Sequence, residues 1–360
     1  MNLDELAAAG LYDPTAPDAE ERRALLELAL DAGAEVDEIR VAIDEKWLHA
    51  VPIQRAILGS SPRITVDEAA RRAGLDHAVG ARIWSALGLD GHECTADDVA
   101  VFTAYAYSVA VWGEVETLHL ARTTAAALAA LADAEVALSR AAIEAPLRAS
   151  GGDYLAIGRV YRDFGEEVLP RLHAAVTRVH AHHLSAAGRR YAVWGSPASE
   201  ESTVDVCVGF ADLVGYTEMG NRLDAGELDG MLRTFEARAH DAAAGTGRRL
   251  VKLIGDEAMF VAGTAADAIA IATALLDDPA LGPMRVGIAS GRVVVRAGDV
   301  FGAPVNLAAR LVAIASPGEV VLDAATAGAL DEDAVAARGT QDLPGFPEPV
   351  HAFSLSRSGG

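Results

Sequence analysis

The stretch Val204-Asp-Val-Cys-Val-Gly-Phe210-Ala-Asp212-Leu-Val-Gly215-Tyr-Thr217 decides how this chain reads. A mostly apolar run from Val204 to Phe210 predicts a buried strand, and it ends on an aspartate and a glycine-containing turn. A second stretch, Lys252-Leu-Ile-Gly255-Asp256, runs apolar into Gly-Asp and resumes at once as Glu257-Ala-Met-Phe-Val261. Two strands that each deliver a carboxylate to one end of a sheet can hold a divalent cation between them. Mg²⁺ favours one or two carboxylates, with substrate phosphate oxygens completing its octahedron. A metal pair held this way can activate a hydroxyl and stabilise a leaving phosphate.

Taken singly, either aspartate reads equally well as a turn former or a helix cap. A third segment changes the balance: Gly298-Asp299-Val-Phe-Gly302-Ala-Pro-Val-Asn306-Leu-Ala-Ala-Arg310. Pro304 opens a helical stretch through Ala313. Asn306 and Arg310 are four apart and share one face of it. Arginine is the usual donor to a phosphoryl group whose charge is being redistributed.

Together these segments resemble the catalytic domain of class III nucleotidyl cyclases. The resemblance runs from about Val204 to Leu355 and includes Gly318-Glu-Val-Val-Leu322 and Gly345-Phe-Pro-Glu-Pro-Val-His-Ala-Phe353. It implies that Asp212 and Asp256 bind two Mg²⁺ or Mn²⁺ ions per site. It implies that Lys252 and Asp299 read the purine, and that Asn306 and Arg310 orient the ribose and stabilise the transition state. Phe210, Gly215 and Thr217 fall on the substrate-binding turn, where backbone amides from Val214 to Thr217 would cradle phosphates if they open the next helix. The resemblance also implies a ferredoxin-like α+β fold and a head-to-tail homodimer with its sites at the interface. Asp212 and Asp256 would come from one chain and the other four residues from its partner.

The purine pair has its own chemistry. Adenine offers an acceptor at N1 and a donor at its exocyclic amine, which suit a donating lysine and an accepting aspartate. Guanine reverses both edges, at about 1–3 kcal/mol per unsatisfied group. The expected substrate is therefore ATP, converted to 3′,5′-cyclic AMP and pyrophosphate. One position departs from the family: Pro344 stands where a triphosphate-contacting lysine is common, and proline offers neither charge nor amide hydrogen. Weaker triphosphate binding, or substitution by Arg338, would follow.

With 360 residues, two domains are the natural reading. A hydrophobic content of 51% fills sizeable cores. Thirty basic against 52 acidic residues give a net charge of −22, which opposes nucleic acid and anionic membranes. Cys94 and Cys207 read as free thiols of a cytoplasmic protein. The longest uncharged stretch of the first half, Val99 to Gly113, is too short for a membrane span of about 20 residues and reads as a core helix.

Residues 1–192 read as an all-helical regulatory domain with a linker to about 202, and residues 203–357 as the catalytic domain. Ala19–Ala32, Asp37–Ala50, Thr124–Ala142 and Ala156–Ala187 carry helical patterns, with Pro170 kinking or opening a helix in the last. Tyr191 to Val204, with Gly195, Pro197 and three serines, reads as the linker. The segment from Thr65 to Leu89 looks like a helix-turn-helix, but residues 63–90 hold four basic and four acidic groups, where DNA binding needs a basic face. His173, His180, His182 and His183 read as a solvated helix face or, alternatively, a pH switch. Asp37 to Leu138, through Ala50-Val-Pro-Ile-Gln-Arg-Ala56 and Arg82-Ile-Trp-Ser-Ala-Leu-Gly-Leu89, resembles a helical domain that restrains some actinobacterial cyclases. That resemblance raises autoinhibition, a response to acid and a fatty-acid ligand as expectations. Two other classes stay open: a catalytically silent nucleotide sensor, and a DNA-binding regulator.

Overall fold

A computed structural model describes residues 3–59, 61–89, 91–194, 203–220 and 222–356. The chain divides into two compact units, residues 1–180 and 181–360. The serine- and glycine-bearing part of the expected linker, residues 195–202, lies outside the described residues.

The first unit is built from helices on two small cores. Ala19–Asp31, Val36–Asp44 and the single turn Leu48–Ala50 bury Leu26, Ile39 and Leu48. The expected continuous helix to Ala50 stops at Asp44, where Lys46 takes a left-handed φ of 66°. The second core joins Val66, Trp84 and Phe102. Helices Val66–Arg72 and His77–Ala86 are bracketed by a two-stranded antiparallel ribbon, Arg63–Thr65 with Glu93–Thr95. Thr65 and Asp76 cap the two helices. The helix Val99–Trp112 corrects the core-helix expectation: Phe102 is its buried residue, while Tyr107 and Val111 are over 70% exposed. Apolar composition made it look like core, but Phe102 alone is fully buried and its other positions are half-buried or exposed. Pro170 sits in the first turn of the helix Leu169–Trp194, which follows Tyr154–Glu167.

The second unit is a sheet with helices on both faces. Its strands are β1 (Thr203–Leu213), β2 (Arg248–Ile254), β3 (Glu257–Ala262), β4 (Met284–Arg296), β5 (Asp299–Phe301), β6 (Val320–Asp323), β7 (Val335–Gln341) and β8 (Val350–Leu355). Its helices are α1 (Tyr216–Gly220), α2 (Ala225–Ala242), α3 (Ala265–Leu276), α4 (Ala303–Ile314) and α5 (Ala324–Ala327). The sheet order is β2-β3-β1-β4-β6-β8-β7, with β5 hairpinned onto β4. Only the β4–β6 pairing is parallel. The β1-α2-β2-β3-α3-β4 run with order β2-β3-β1-β4 is the ferredoxin-like α+β arrangement.

Side chains alternate along each strand. Cys207, Ala211 and Leu213 of β1 face α2 and α3 in a core with Phe235, Phe260 and Ile271. Val206, Val208 and Phe210 face the other side, where α4 lays Ala308, Leu311 and Val312 on the sheet. The latter face carries the site. A Cβ at Gly287 would stand 2.2 Å from the Val312 nitrogen and 2.5 Å from the Ala308 carbonyl oxygen, so the glycine sets how closely α4 approaches.

Candidate active site

Asp212 lies one residue before the end of β1, on the α4 face. Its register partners are Glu257 at the start of β3 and Arg285 near the start of β4. Arg285 donates from Nε and Nη2 to Asp212 Oδ2, both at 2.7 Å. Asp256 sits in the β2–β3 turn, where its carbonyl accepts the Leu213 N–H at 3.2 Å. That bond ties the turn to the end of β1 and sets the two carboxyl groups together. Burial first, and then the Asp212 charge, push the Asp256 carboxyl up from its ordinary value. Glu257 is pushed up to about 7 by burial and by both aspartates, with Arg285 opposing.

This donor set fits a divalent cation. Two hard carboxylate groups are held against each other at an electrostatic cost that a cation between them removes. Among the described residues no three His, Cys, Asp or Glu side chains are grouped so as to hold a metal ion.

Lys252 reaches the same face through a backbone irregularity. β2 has a bulge between Leu250 and Lys252, so that Arg249 pairs with Val261 and Lys252 with Met259. In a regular strand, residues three apart point to opposite faces. The bulge puts Arg249 and Lys252 on one face. Lys252 Nζ lies 2.5 Å from Asp299 Oδ2 in β5, and Asp299 Oδ1 accepts the Val300 N–H at 2.8 Å. The sequence-predicted purine pair is thus in direct contact.

Asn306 and Arg310 lie one turn apart on the exposed face of α4, opposite its buried Ala308 and Leu311. Neither side chain makes a hydrogen bond or ion pair with another described residue. Phe210 is 5% exposed in the core beneath α4, so its side chain supports the sheet. Gly215 takes a φ of 81° in the turn between β1 and α1. The Val214 N–H is already committed to the Pro283 carbonyl at 2.8 Å, which leaves the Gly215–Thr217 part of the expected cradle; the Thr217 side chain lies outside the described residues. Pro344 is exposed. Arg338 does not stand in for a lysine there: it bonds the Ile314 carbonyl at the end of α4 at 2.7 Å and pairs with Glu319 at 2.6 Å.

Sequence reasoning missed Arg285, Glu257 and Arg249. Arg285 did leave a signal, a lone cation inside the apolar run Met284 to Ala289. In the helical half it singled out His173, His180, His182 and His183, which are all exposed. It passed over His49, which is half-buried beside the Tyr154 ring, 4.9 Å between centroids. Burial lowers its imidazole pKa, against the Glu144 charge.

No family model matches the chain. It is 34% identical over 364 residues to an uncharacterised protein of Mycobacterium tuberculosis, spanning 99% of this chain and 94% of that protein. It is 32% identical over 327 residues to an adenylate cyclase of Streptomyces coelicolor, spanning 85% of this chain and 84% of the relative. A pH-sensitive adenylate cyclase of Mycobacterium tuberculosis is 29% identical over 341 residues, 89% of this chain and 82% of the relative. The chain belongs to the adenylate cyclase family, and it is a cyclase enzyme.

Proposed function

We propose that residues 203–357 convert ATP to 3′,5′-cyclic AMP and pyrophosphate at a site shared by two copies of the chain, restrained by the helical residues 1–192. The observation that carries this reading is the α4-bearing face of the sheet. It holds the Asp212–Asp256 carboxyl pair and the Lys252–Asp299 contact, and the α4 that packs on it presents Asn306 and Arg310 outward without a partner among the described residues.

In the reaction the ribose 3′-oxygen forms a bond to the α-phosphorus as the bond to the β-phosphate oxygen breaks. The hydroxyl proton passes to solvent and the electron pair leaves with pyrophosphate. Mg²⁺ or Mn²⁺ held by Asp212 and Asp256 supplies a lowered 3′-hydroxyl pKa and neutralises phosphate charge. Arg285 keeps the Asp212 carboxylate oriented. Lys252 donates to adenine N1 and Asp299 accepts from the exocyclic amine, each exchanging part of their mutual bond for the base. Asn306 fixes the ribose, Arg310 meets the α-phosphate as its charge spreads, and the Gly215–Thr217 turn lies against the triphosphate. Two copies place Asn306 and Arg310 of one chain over the carboxyl pair of the other.

For the helical half, the name of the pH-sensitive relative and the half-buried His49 support control by acid. The DNA-binding alternative gains nothing: Arg72 and Arg82 of the helix-turn-helix are paired with Glu68 and Glu114. The direct test supplies ATP or GTP with Mg²⁺ or Mn²⁺ to the full chain and to residues 200–360. Cyclic AMP without cyclic GMP supports the purine reading, and greater activity in the shorter piece supports restraint. Tight ATP binding without product from either piece would favour a nucleotide sensor.

A further inference from the structure

The bulge in β2 turns two cations, not one, toward the β4–β5 turn. Lys252 holds Asp299, and Arg249 donates from Nη1 to the carbonyl oxygen of the preceding residue, Gly298, at 2.6 Å. That turn is conformationally demanding: Ala297 and Gly298 take φ values of 52° and 77°. A left-handed alanine is uncommon and needs its surroundings to hold it. The turn is the two-residue loop of the β4–β5 hairpin, which takes positive φ at both positions, and Arg249 pins its second peptide, one bond away from Asp299.

Arg249 also lies within electrostatic reach of the end of the long helix. The last turn of Leu169–Trp194 belongs to this unit: Trp194 is 6% exposed within the α4-side core. Its ring lies over Gly263, where a Cβ would stand 2.4 Å from the indole nitrogen. Arg190 stacks 6.0 Å from the Trp194 ring centroid. Arg190 and Tyr191 of this turn both act electrostatically on Arg249, as does Asp299, and burial together with Arg190 weakens the hold of its proton. A partly buried cation beside a second cation stays where it is only while the Gly298 carbonyl and Asp299 attract it.

We propose that Arg249 is a positioning residue for base selection: it holds the Gly298–Asp299 turn at the register that purine reading requires, and it couples that turn to the last turn of the helix ending at Trp194. This rests on the reading of Lys252 and Asp299 as the purine pair. Arg249 need not touch the base. Its loss frees the turn, so that Asp299 no longer presents an acceptor at one fixed place, and the discrimination between adenine and guanine falls with it.

The test is equilibrium binding of 3′-deoxy-ATP and 3′-deoxy-GTP, which cannot cyclise, to the full chain with Mg²⁺. The variants are Arg249→Met, Arg249→Lys, Lys252→Ala and Asp299→Ala, with melting temperatures measured alongside. Arg249→Met is expected to weaken 3′-deoxy-ATP by about tenfold, the scale of one charge-assisted hydrogen bond, and 3′-deoxy-GTP by much less. Arg249→Lys, which keeps one donor, recovers part of the ratio. In Trp194→Phe, which keeps the docked ring but loosens the helix end, the ratio shifts in the same direction by a smaller factor. A purely structural arginine would lower the melting temperature and weaken both nucleotides alike, and that result overturns the proposal. If Lys252→Ala and Asp299→Ala change the ratio while folded Arg249→Met does not, the inference fails alone. If none of the three changes it, the purine reading fails too.

Discussion

Asp212 and Asp256 hold their carboxyl groups together across two different chain segments, fastened by the Leu213 N–H on the Asp256 carbonyl at 3.2 Å. The contact raises the Asp256 pKa, after burial, through the charge of Asp212. The pair is therefore a strained element of the free protein and a ready one for a divalent cation.

Millimolar Mn²⁺ or Mg²⁺ should accordingly raise the melting temperature. A cation at a hundred times its dissociation constant contributes about 2.7 kcal/mol, a shift of a few degrees in a chain of this size. In Asp256→Asn the shift should vanish and cyclic AMP production with it, while the metal-free protein melts no lower than the parent. An unchanged metal shift in that variant, read by scanning calorimetry, would remove the carboxyl pair from the metal site.

Gly287→Ala tests how α4 is seated. The added methyl would meet the α4 backbone at 2.2 Å and 2.5 Å, and a backbone cannot rotate out of the way as a side chain can. Overpacking of this kind costs about 1–3 kcal/mol. The expected variant is folded, melts several degrees lower and loses at least tenfold in kcat, because Asn306 and Arg310 move with the helix. A variant with the parent's melting temperature and turnover would show that the helix position is not critical.

His49 gives the pH prediction. Its folded-state pKa is lowered by burial, so it enters the fold neutral. Its contribution to stability is complete above the unfolded value near 6.5 and is lost as pH falls through the folded value. The helical unit should therefore loosen from about pH 6.5 downward, and His49→Gln should flatten the acid side of the melting-temperature profile. If that unit restrains the catalytic half, His49→Gln also blunts any gain of activity in acid. Parallel acid slopes in the two proteins would clear His49 of the role.

The catalytic fold was legible because its signals are local. An apolar run ending in Asp212, another ending in Gly255-Asp256, and a proline-opened helix with Asn306 and Arg310 each write their geometry into adjacent residues. The bulge that turns Lys252 onto the site face was not legible, since nothing between Leu250 and Lys252 marks an extra residue. It is a property of the pairing with β3. Arg285 escaped for the same reason: its meaning comes from lying opposite Asp212, 73 residues away in sequence.

The helical half was read less well, for a different reason. Composition reports how apolar a helix is, not what covers it. Val99–Trp112 is apolar nearly all round, yet only Phe102 is fully buried and its C-terminal end, with Tyr107, Val111 and Trp112, is exposed. The four-histidine cluster drew attention through number, while His49, alone in sequence, is the half-buried one beside the Tyr154 ring.

The composite site can be tested most directly by mixing two inactive proteins. Asp212→Ala removes the proposed metal carboxylate and Arg310→Ala the proposed phosphate-facing cation, and each alone should lower turnover by about 10²–10³, the usual scale for losing one such group. In a mixed dimer both defects fall in one site and the other site is intact. Random exchange of subunits should then restore about a quarter of the parent activity, because half the dimers are mixed and each has one working site. Recovery near that level is the expected result. No recovery on mixing, with exchange confirmed by mass, would contradict a site built from two chains.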